Sequence, residues 1–132
     1  MCIRDSWYTV DDARGLCPTG WHVPTDGEWT ELKDYISSEG FAGTEGAAMK
    51  STMGWSGGGN GSDDFGFSAL PGGYRDIGGN FKQAGSDGDW WSSSLNDGNA
   101  WLRSLEDGNS ALGRDAFNLL NGFSVRCLRD AE

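Results

Sequence analysis

Two near-copies of an Asp-Gly turn, ten residues apart, constrain the fold of this chain. One copy is Leu95–Leu102 and the other is Leu105–Leu112, and each places Asp-Gly between two short apolar runs. Asp-Gly supplies the positive φ angles of a tight hairpin turn. A third turn signal, Asn121-Gly122, precedes the final run. We therefore predict an antiparallel meander, with strands over Trp90–Leu95, Ala100–Leu105, Ser110–Arg114 and Phe123–Arg129.

Helix signals lie in the first forty residues. Thr9 is a good N-cap for a first helix over Val10–Leu16, which Pro18 would stop. A second helix is predicted to begin with the capping box Thr25–Glu28. Its apolar stripe is formed by Trp29, Leu32 and Ile36.

A long loop region separates these helices from the meander. We predict mostly loop over Phe41–Gly66, because Ser56–Ser62 is rich in glycine and polar residues. Phe65–Leu70 is predicted to be a strand that ends at Pro71. Helices followed by antiparallel strands indicate an α+β fold.

Composition bounds the class of protein. The chain of 132 residues fits one domain, and its 22 glycines favour turns over helix. The formal net charge of −10 argues against nucleic acid and against anionic membrane surfaces as partners. No apolar run approaches the length of a membrane span, so we expect no membrane insertion. Residues 1–6 show no secretory signal.

The three cysteines, Cys2, Cys17 and Cys127, have no metal-ligand spacing. Helical spacing for Cys17 and strand alternation for Cys127 put both on apolar faces. A bridge between them would close a long loop and stabilise the fold by about 4–5 kcal/mol in the chain-entropy model. Two buried free thiols are the alternative at this point, because cysteine is common in cores without a bond.

Three separated motifs resemble one known family. Trp7–Trp29, Gly59–Asp76 and Gly122–Asp130 look like successive parts of the Fibrobacter succinogenes major paralogous domain. The resemblance runs from Trp7 to Asp130, nearly the whole chain.

The resemblance implies a C-type-lectin-like fold for residues 7–132, with two helices, a mostly antiparallel sheet and a long Gly-rich loop region. It also implies a disulfide that ties the first helix to the last strand, which fits Cys17 and Cys127. Family members are mostly bacterial and extracytoplasmic, secreted or on the cell surface. The fold is similar to formylglycine-generating enzymes and to the variable proteins of diversity-generating retroelements.

The chain departs from the family pattern in two places. Residues 1–6 do not look like family sequence, and they are expected to be a leader or cloning remnant on an N-terminally truncated domain. A missing edge strand would leave an open sheet edge, which favours homo-oligomers. Along the meander, leucine and phenylalanine stand where the family tends to carry tyrosine and asparagine: Leu95, Leu102, Leu105, Leu112, Phe117, Leu119 and Leu120. They either pack inward or bind a ligand.

The sequence predicts no enzymatic activity. His22 is the lone histidine and stands beside Trp21, which favours a structural role. No serine has a second base within sequence reach. The similar formylglycine-generating enzymes need a reactive cysteine pair in their C-terminal half, where this chain has Cys127 alone.

No cofactor is expected, although calcium remains a weaker interpretation. Asn60, Asp63 and Asp64 offer oxygen donors suited to Ca²⁺ in the Gly-rich loop. Asp and Asn are also routine turn formers. The Glu-Pro-Asn or Gln-Pro-Asp and Trp-Asn-Asp motifs of calcium-dependent sugar-binding lectins are absent from the sequence.

The meander mixes aromatic anchors with adaptable polar groups, as recognition surfaces do. The predicted ligand-binding residues are Trp91, Ser93, Leu95, Asn96, Asp97, Asn99, Trp101, Arg103, Leu105, Glu106, Asp107, Asn109, Arg114, Asp115, Phe117 and Asn118. In the alternative interpretation, Trp90, Trp91 and Trp101 are core and the polar residues are solvated turns.

The sequence therefore predicts a non-enzymatic, receptor-type binding domain for a protein or glycan ligand. A sharper hypothesis makes it a hypervariable protein diversified by a retroelement, with variation between about Trp91 and Asn121. The alternatives are a structural surface module of a secreted bacterial protein and, remotely, a remnant of a formylglycine-generating enzyme.

Overall fold

The computed structural model describes residues 5–12 and 15–131. The α-helices in these ranges are α1 (Asp26–Ile36) and α2 (Glu45–Met49). The strands are β1 (Asp5–Ser6), β2 (Trp21–His22), β3 (Tyr74–Arg75), β4 (Phe81–Lys82), β5 (Asp87–Asn96), β6 (Asn99–Glu106), β7 (Gly113–Asn118), β8 (Gly122–Phe123) and β9 (Leu128–Arg129). Two helices with antiparallel sheets confirm the predicted α+β class.

Helix α1 begins as the sequence predicted. The Thr25 hydroxyl accepts a hydrogen bond from the Glu28 backbone N–H at 3.1 Å, and the Glu28 carboxylate accepts one from the Thr25 N–H at 3.0 Å. This reciprocal capping box satisfies two N–H groups that have no partner inside the helix. Trp29 and Ile36 are buried, so the predicted apolar stripe does face the core.

The helix predicted over Val10–Leu16 is wrong where the structure can test it. A 3-10 turn occupies Trp7–Thr9 instead, and Val10 forms its C-cap. Ala13 and Arg14 lie outside the described residues. Gly15 adopts a φ of +75°, which an α-helix does not accommodate. Trp7 donates its indole N–H to the Ser92 carbonyl at 2.9 Å, and this anchor to the core fixes the chain before the predicted helix starts.

The second helix, α2, lies inside the region predicted to be loop. The Glu45 carboxylate in its first turn is buried and accepts hydrogen bonds from the Ser37 hydroxyl at 2.6 Å and the Gly43 N–H at 3.1 Å. Ala48 and Met49 are fully buried against α1. Tertiary packing therefore stabilises a helix too short to persist alone.

Strands β5, β6 and β7 form an antiparallel sheet in that order. The Asp97-Gly98 turn joins β5 to β6 with both residues at positive φ, as predicted for a tight hairpin. The second Asp-Gly pair does not close such a hairpin. The Lys50 ammonium binds the Glu106 and Asn109 carbonyls there, and the loop extends to Gly113. The strand predicted over Ser110–Arg114 is consequently displaced to β7.

The remaining strands are two residues long. They form a four-stranded sheet, β1-β8-β3-β4, and a pair, β2-β9. The strand predicted over Phe123–Arg129 is split, because β8 and β9 join different sheets. The strand predicted over Phe65–Leu70 is also wrong. Only Ala69 of that segment makes a bridge, to Lys50.

The β5-β6-β7 sheet separates two hydrophobic cores. The helix-side core consists of Trp29, Ile36, Ala48, Met49, Trp55, Ala69, Trp90, Leu105 and Leu112. The second core consists of Trp7, Val23, Trp91, Ala100, Leu102, Phe123 and Val125. Trp90 and Trp91 belong to different cores because neighbouring residues of a strand point to opposite faces.

Cys17 and Cys127 form a disulfide, as the family resemblance implied. The bond spans 110 residues of sequence. Among the described residues no α-helix precedes Cys17, so the bond does not start from the helix that the resemblance implied. Cys127 lies just before β9. The bridge joins the N-terminal segment to the end of the chain.

Candidate functional site

The end of the β5-β6-β7 sheet that carries the Asp97-Gly98 turn, here called the outer end, has two differently built faces. On the helix side, Asn96, Asn99 and Asn118 stand directly opposite one another across the three strands. Paired positions share a face, so these carboxamides form one row. Asn96 and Asn99 are half-buried and make no side-chain hydrogen bond to any described residue. We call this side the amide face.

The other side of the outer end is apolar. Leu95 and Phe117 both pair with Ala100, from the two neighbouring strands, so the three form a strip across the sheet. Leu95 is 56% exposed and Phe117 is 44% exposed. Leu120, in the turn after β7, is also exposed. The strip, here called the apolar strip, continues inward to the second core, where the Phe117 and Phe123 ring centroids are 6.1 Å apart.

An ion network holds the sheet to helix α1 beneath the amide face. The Asp26 carboxylate accepts a hydrogen bond from the buried Arg103 at 3.0 Å. It also accepts three from Arg114, at 2.7, 3.1 and 3.2 Å. The Arg114 guanidinium lies 3.6 Å from the Trp101 ring centroid. Partial burial favours a raised Asp26 pKa, but the two arginines outweigh it and lower that pKa below its ordinary value.

The structure separates the predicted ligand-binding residues into three groups. Trp91, Arg103 and Leu105 are buried and do not lie on a surface, which corrects their prediction as ligand contacts. Leu105 points into the helix-side core and Trp91 into the second core. Arg103 donates hydrogen bonds to Asp26 and Thr30. The sequence left the direction of Leu102 and Leu105 open. Arg103 lies two residues before Leu105, on the same face of β6, and its burial depends on Asp26, a partner distant in sequence.

Three more of the predicted residues lie away from the outer end. Glu106 ends β6 at the opposite end of the sheet, and Asp107 and Asn109 lie in the loop that follows. The outer end and its flanks hold the rest of the predicted set: Ser93, Leu95, Asn96, Asp97, Asn99, Trp101, Arg114, Asp115, Phe117 and Asn118.

The leucine and phenylalanine residues that depart from the family pattern also divide into buried and exposed groups. Leu102, Leu105 and Leu112 pack inward, as one of the two interpretations held. Leu119 is half-buried beside the second core. Leu95, Phe117 and Leu120 remain exposed and are the members of this set that a ligand could reach.

A buried carboxyl group was not singled out from the sequence. Asp89 on β5 is only 6% exposed, and its Oδ2 has no hydrogen-bond partner among the described residues. Burial, with smaller contributions from Asp87 and Glu106, raises the pKa of Asp89 to about 7. The alternation of Asp87, Asp89 and Trp91 on one face of the strand was the available signal.

His22 links three parts of the chain. Its Nδ1 lies 2.5 Å from Asp130 Oδ1, and its Nε2 lies 2.9 Å from both Glu28 carboxylate oxygens. Hydrogen bonds to Asp130 and Glu28 raise the pKa of His22. The ring therefore clamps β2, the start of α1 and the segment after β9 together.

The weak calcium candidates use their oxygens within the loop. Asn60 Oδ1 accepts from the Trp55 N–H, and Asp63 accepts from the Ser68 N–H and hydroxyl. The Asp64 carboxylate accepts from the Ser62 hydroxyl. In the described part of the chain, no group of three or more His, Cys, Asp or Glu side chains is placed to hold a metal ion.

A hollow lies beside the disulfide and was not predicted from the sequence. It has a volume of about 830 Å³ and is mainly apolar. Its walls include Trp21, Leu70, Trp90 and Val125, together with Cys17.

These features define an α+β domain. A disulfide and an ion network hold its small sheet, and the outer end of that sheet carries exposed side chains. The profile of the Fibrobacter succinogenes major domain matches residues 6–129. The chain belongs to this family. No curated protein and no solved structure matches it. Across the residues that the structure describes, no helix has the length and apolar character needed to span a membrane.

Proposed function

We propose that this protein is a non-enzymatic ligand-binding domain whose ligand face is the outer end of the β5-β6-β7 sheet. One observation carries the proposal. Asn96 and Asn99 have no side-chain hydrogen bonds to described residues, and Leu95 and Phe117 are half exposed, on strands that are otherwise firmly held. Accessible aromatic and polar groups on a rigid scaffold are typical of recognition surfaces.

The rigidity of those strands supports the same proposal. The Asp26 network fixes β6 and β7 to α1, and Trp7 fixes β5 from the opposite face. A surface held in this way loses little conformational freedom when a ligand binds.

The contacts of His22 and Cys127 support a binding role rather than catalysis. Both ring nitrogens of His22 are engaged by carboxylates. Cys127 is bonded to Cys17, so its sulfur is not a free thiol for chemistry of the formylglycine-generating kind.

The finer parts of the proposal concern fold family and location. A disulfide between the N-terminal segment and the end of the chain fits a C-type-lectin-like arrangement. Disulfides persist in oxidising compartments, which supports an extracytoplasmic location. Side chains at the outer end contribute little to either core, so they could vary without loss of the fold. This property supports a retroelement-diversified variable protein.

A structural surface module is the competing function. It would need the fold and not the outer-end side chains, so the two functions differ in one measurable respect. Arg103 is unsuitable for that comparison because its removal would disturb the core. Accessible outer-end residues are the appropriate targets.

The test is a paired screen of the purified protein against a glycan array and a displayed library of random short peptides. Ligands should bind the native chain and lose affinity for at least one of two variants, Asn96→Ala with Asn99→Ala or Leu95→Ser with Phe117→Ser. The matched control is Ile77→Ser with Phe81→Ser, whose side chains are 66% and 67% exposed at the β3–β4 hairpin. Recovery of no ligand, or equal loss in the control, would contradict the proposal.

A further inference from the structure

We propose that the apolar strip of the outer end binds a protein segment that presents an aliphatic or aromatic side chain flanked by lysine or arginine. This inference rests on the proposed function and specifies the class of ligand. It is carried by two independent properties of the same face, its apolar surface and the sign of the charges at its border.

The apolar part is continuous and accessible. Leu95, Ala100 and Phe117 cross all three strands in one register, and Leu120 is exposed in the turn beyond β7. The buried Ala100 and the Phe117–Phe123 contact hold the strip on the second core. Aromatic and aliphatic groups on such a support are the kind of anchor that carries most of the energy of a protein interface.

The border of the strip is acidic. Asp115 lies two residues before Phe117 on β7, so its side chain is on the same face. Asp97 lies in the turn just beyond Leu95 and Asn96. Both are exposed, and neither forms an ion pair with any described residue.

The arginines of the β5-β6-β7 sheet lie on its helix side. Arg103 and Arg114 are the cationic residues of β5, β6, β7 and their connecting turns. Both pair with Asp26 on the helix side of the sheet. Within these strands and turns, the charged side chains that border the strip are therefore the carboxylates of Asp97 and Asp115.

This charge pattern selects among partners. A second copy of the chain would bring another net charge of −10 to the same interface, which like-charge repulsion disfavours. A neutral glycan can donate hydroxyl hydrogen bonds to Asp97 and Asp115, but it carries no charge to complement these carboxylates. A basic segment with an apolar anchor satisfies both properties.

The experiment sequences the peptides that a displayed random library yields on the native protein. Recovered peptides should be enriched in lysine or arginine beside an aliphatic or aromatic residue. Their affinity should fall at least about tenfold for Leu95→Ser with Phe117→Ser. It should fall less for Asp97→Asn with Asp115→Asn, decrease as salt is raised, and persist for Ile77→Ser with Phe81→Ser.

Several outcomes would overturn the inference. Peptides without basic enrichment, or affinities unchanged by both variant pairs, would do so. Peptides or glycans that depend on Asn96 and Asn99 instead would retain the proposed function and reject this ligand class. Recovery of no peptide and no glycan would reject both. Melting temperatures of the variants show whether any loss of affinity reflects unfolding.

Discussion

Asp26 is the residue through which helix α1 holds the sheet. Its carboxylate pairs with Arg103, whose side chain is 2% exposed, and with Arg114, whose side chain is 46% exposed. A buried guanidinium is costly without a partner, and Arg103 Nε already has none among the described residues. The sequence indicated only that Asp26 lies in the first turn of a helix. In the structure its carboxylate also joins that helix to the sheet.

Asp26→Ala should destabilise the fold by about 3 kcal/mol, because it leaves a buried positive charge without its counter-ion. Asp34→Ala, on the exposed side of the same helix, is the matched control and should change the free energy of unfolding by less than about 0.5 kcal/mol. Urea denaturation measures both. Equal effects in the two variants would mean that the network does not hold the sheet.

Asp89 should make stability depend on pH. Its native pKa of about 7 lies above that of an exposed aspartate, so the folded chain binds a proton that the unfolded chain releases. For Asp89 alone, the contribution to the free energy of unfolding should therefore be greatest below about pH 4. It should fall as pH rises and level off above about pH 7, after a total loss of at most about 4 kcal/mol.

Asp89→Asn should remove this dependence and raise stability at pH 8, because an amide does not ionise. His22 also loses its contribution as pH rises through its raised pKa, and it is present in both proteins. The difference between the two stability–pH curves therefore isolates Asp89. Parallel curves would show that the buried carboxyl is not protonated near neutral pH.

At the scale of elements, α2 depends on one close approach. A Cβ on Gly46 would collide with the backbone of Ala111 and come within 2.9 Å of a Leu105 methyl. Glycine here allows α2 to pack directly on the loop that precedes β7. The Ala47 N–H also donates to the Ser110 carbonyl in that loop, at 3.0 Å.

Gly46→Ala should destabilise the protein by about 1–3 kcal/mol, because the added methyl forces α2 away from the loop. Gly27→Ala, in the open first turn of α1, is the matched control and should be neutral or stabilise by up to about 1 kcal/mol. Thermal unfolding compares them. A neutral Gly46→Ala would show that α2 is not packed in this way.

The elements differ in how far their sequence could predict them. Helix α1 and the Asp97-Gly98 hairpin were predictable because their capping box and turn residues act locally. Helix α2 and the position of β7 were not, because a buried Glu45 and the bonds of Lys50 to two loop carbonyls are tertiary. The burial of Arg103 is also tertiary: Arg103 shares a face of β6 with Leu105, and its charge is stable there because it pairs with Asp26 of α1.

For the molecule as a whole, the disulfide is the longest-range covalent constraint that the structure describes. Cys17→Ser with Cys127→Ser should lower the free energy of unfolding by about 4–5 kcal/mol, since a loop of 110 residues is no longer closed. Denaturation of the native protein with and without a reductant measures the same loss. The serine variant is the control and should not respond to the reductant; a native protein equally insensitive would contradict the role of the bond.

The central claim is that the outer end of the sheet binds a ligand and does not support the fold. One variant tests it most directly: Leu95→Ser, Asn99→Ala and Phe117→Ser together, assayed for thermal unfolding and for affinity to a ligand recovered on the native protein. We expect a melting temperature within a few degrees of the native value and an affinity at least about tenfold weaker. An unchanged affinity would contradict the claim that this end binds, and a collapse of stability would contradict the claim that it is separable from the fold.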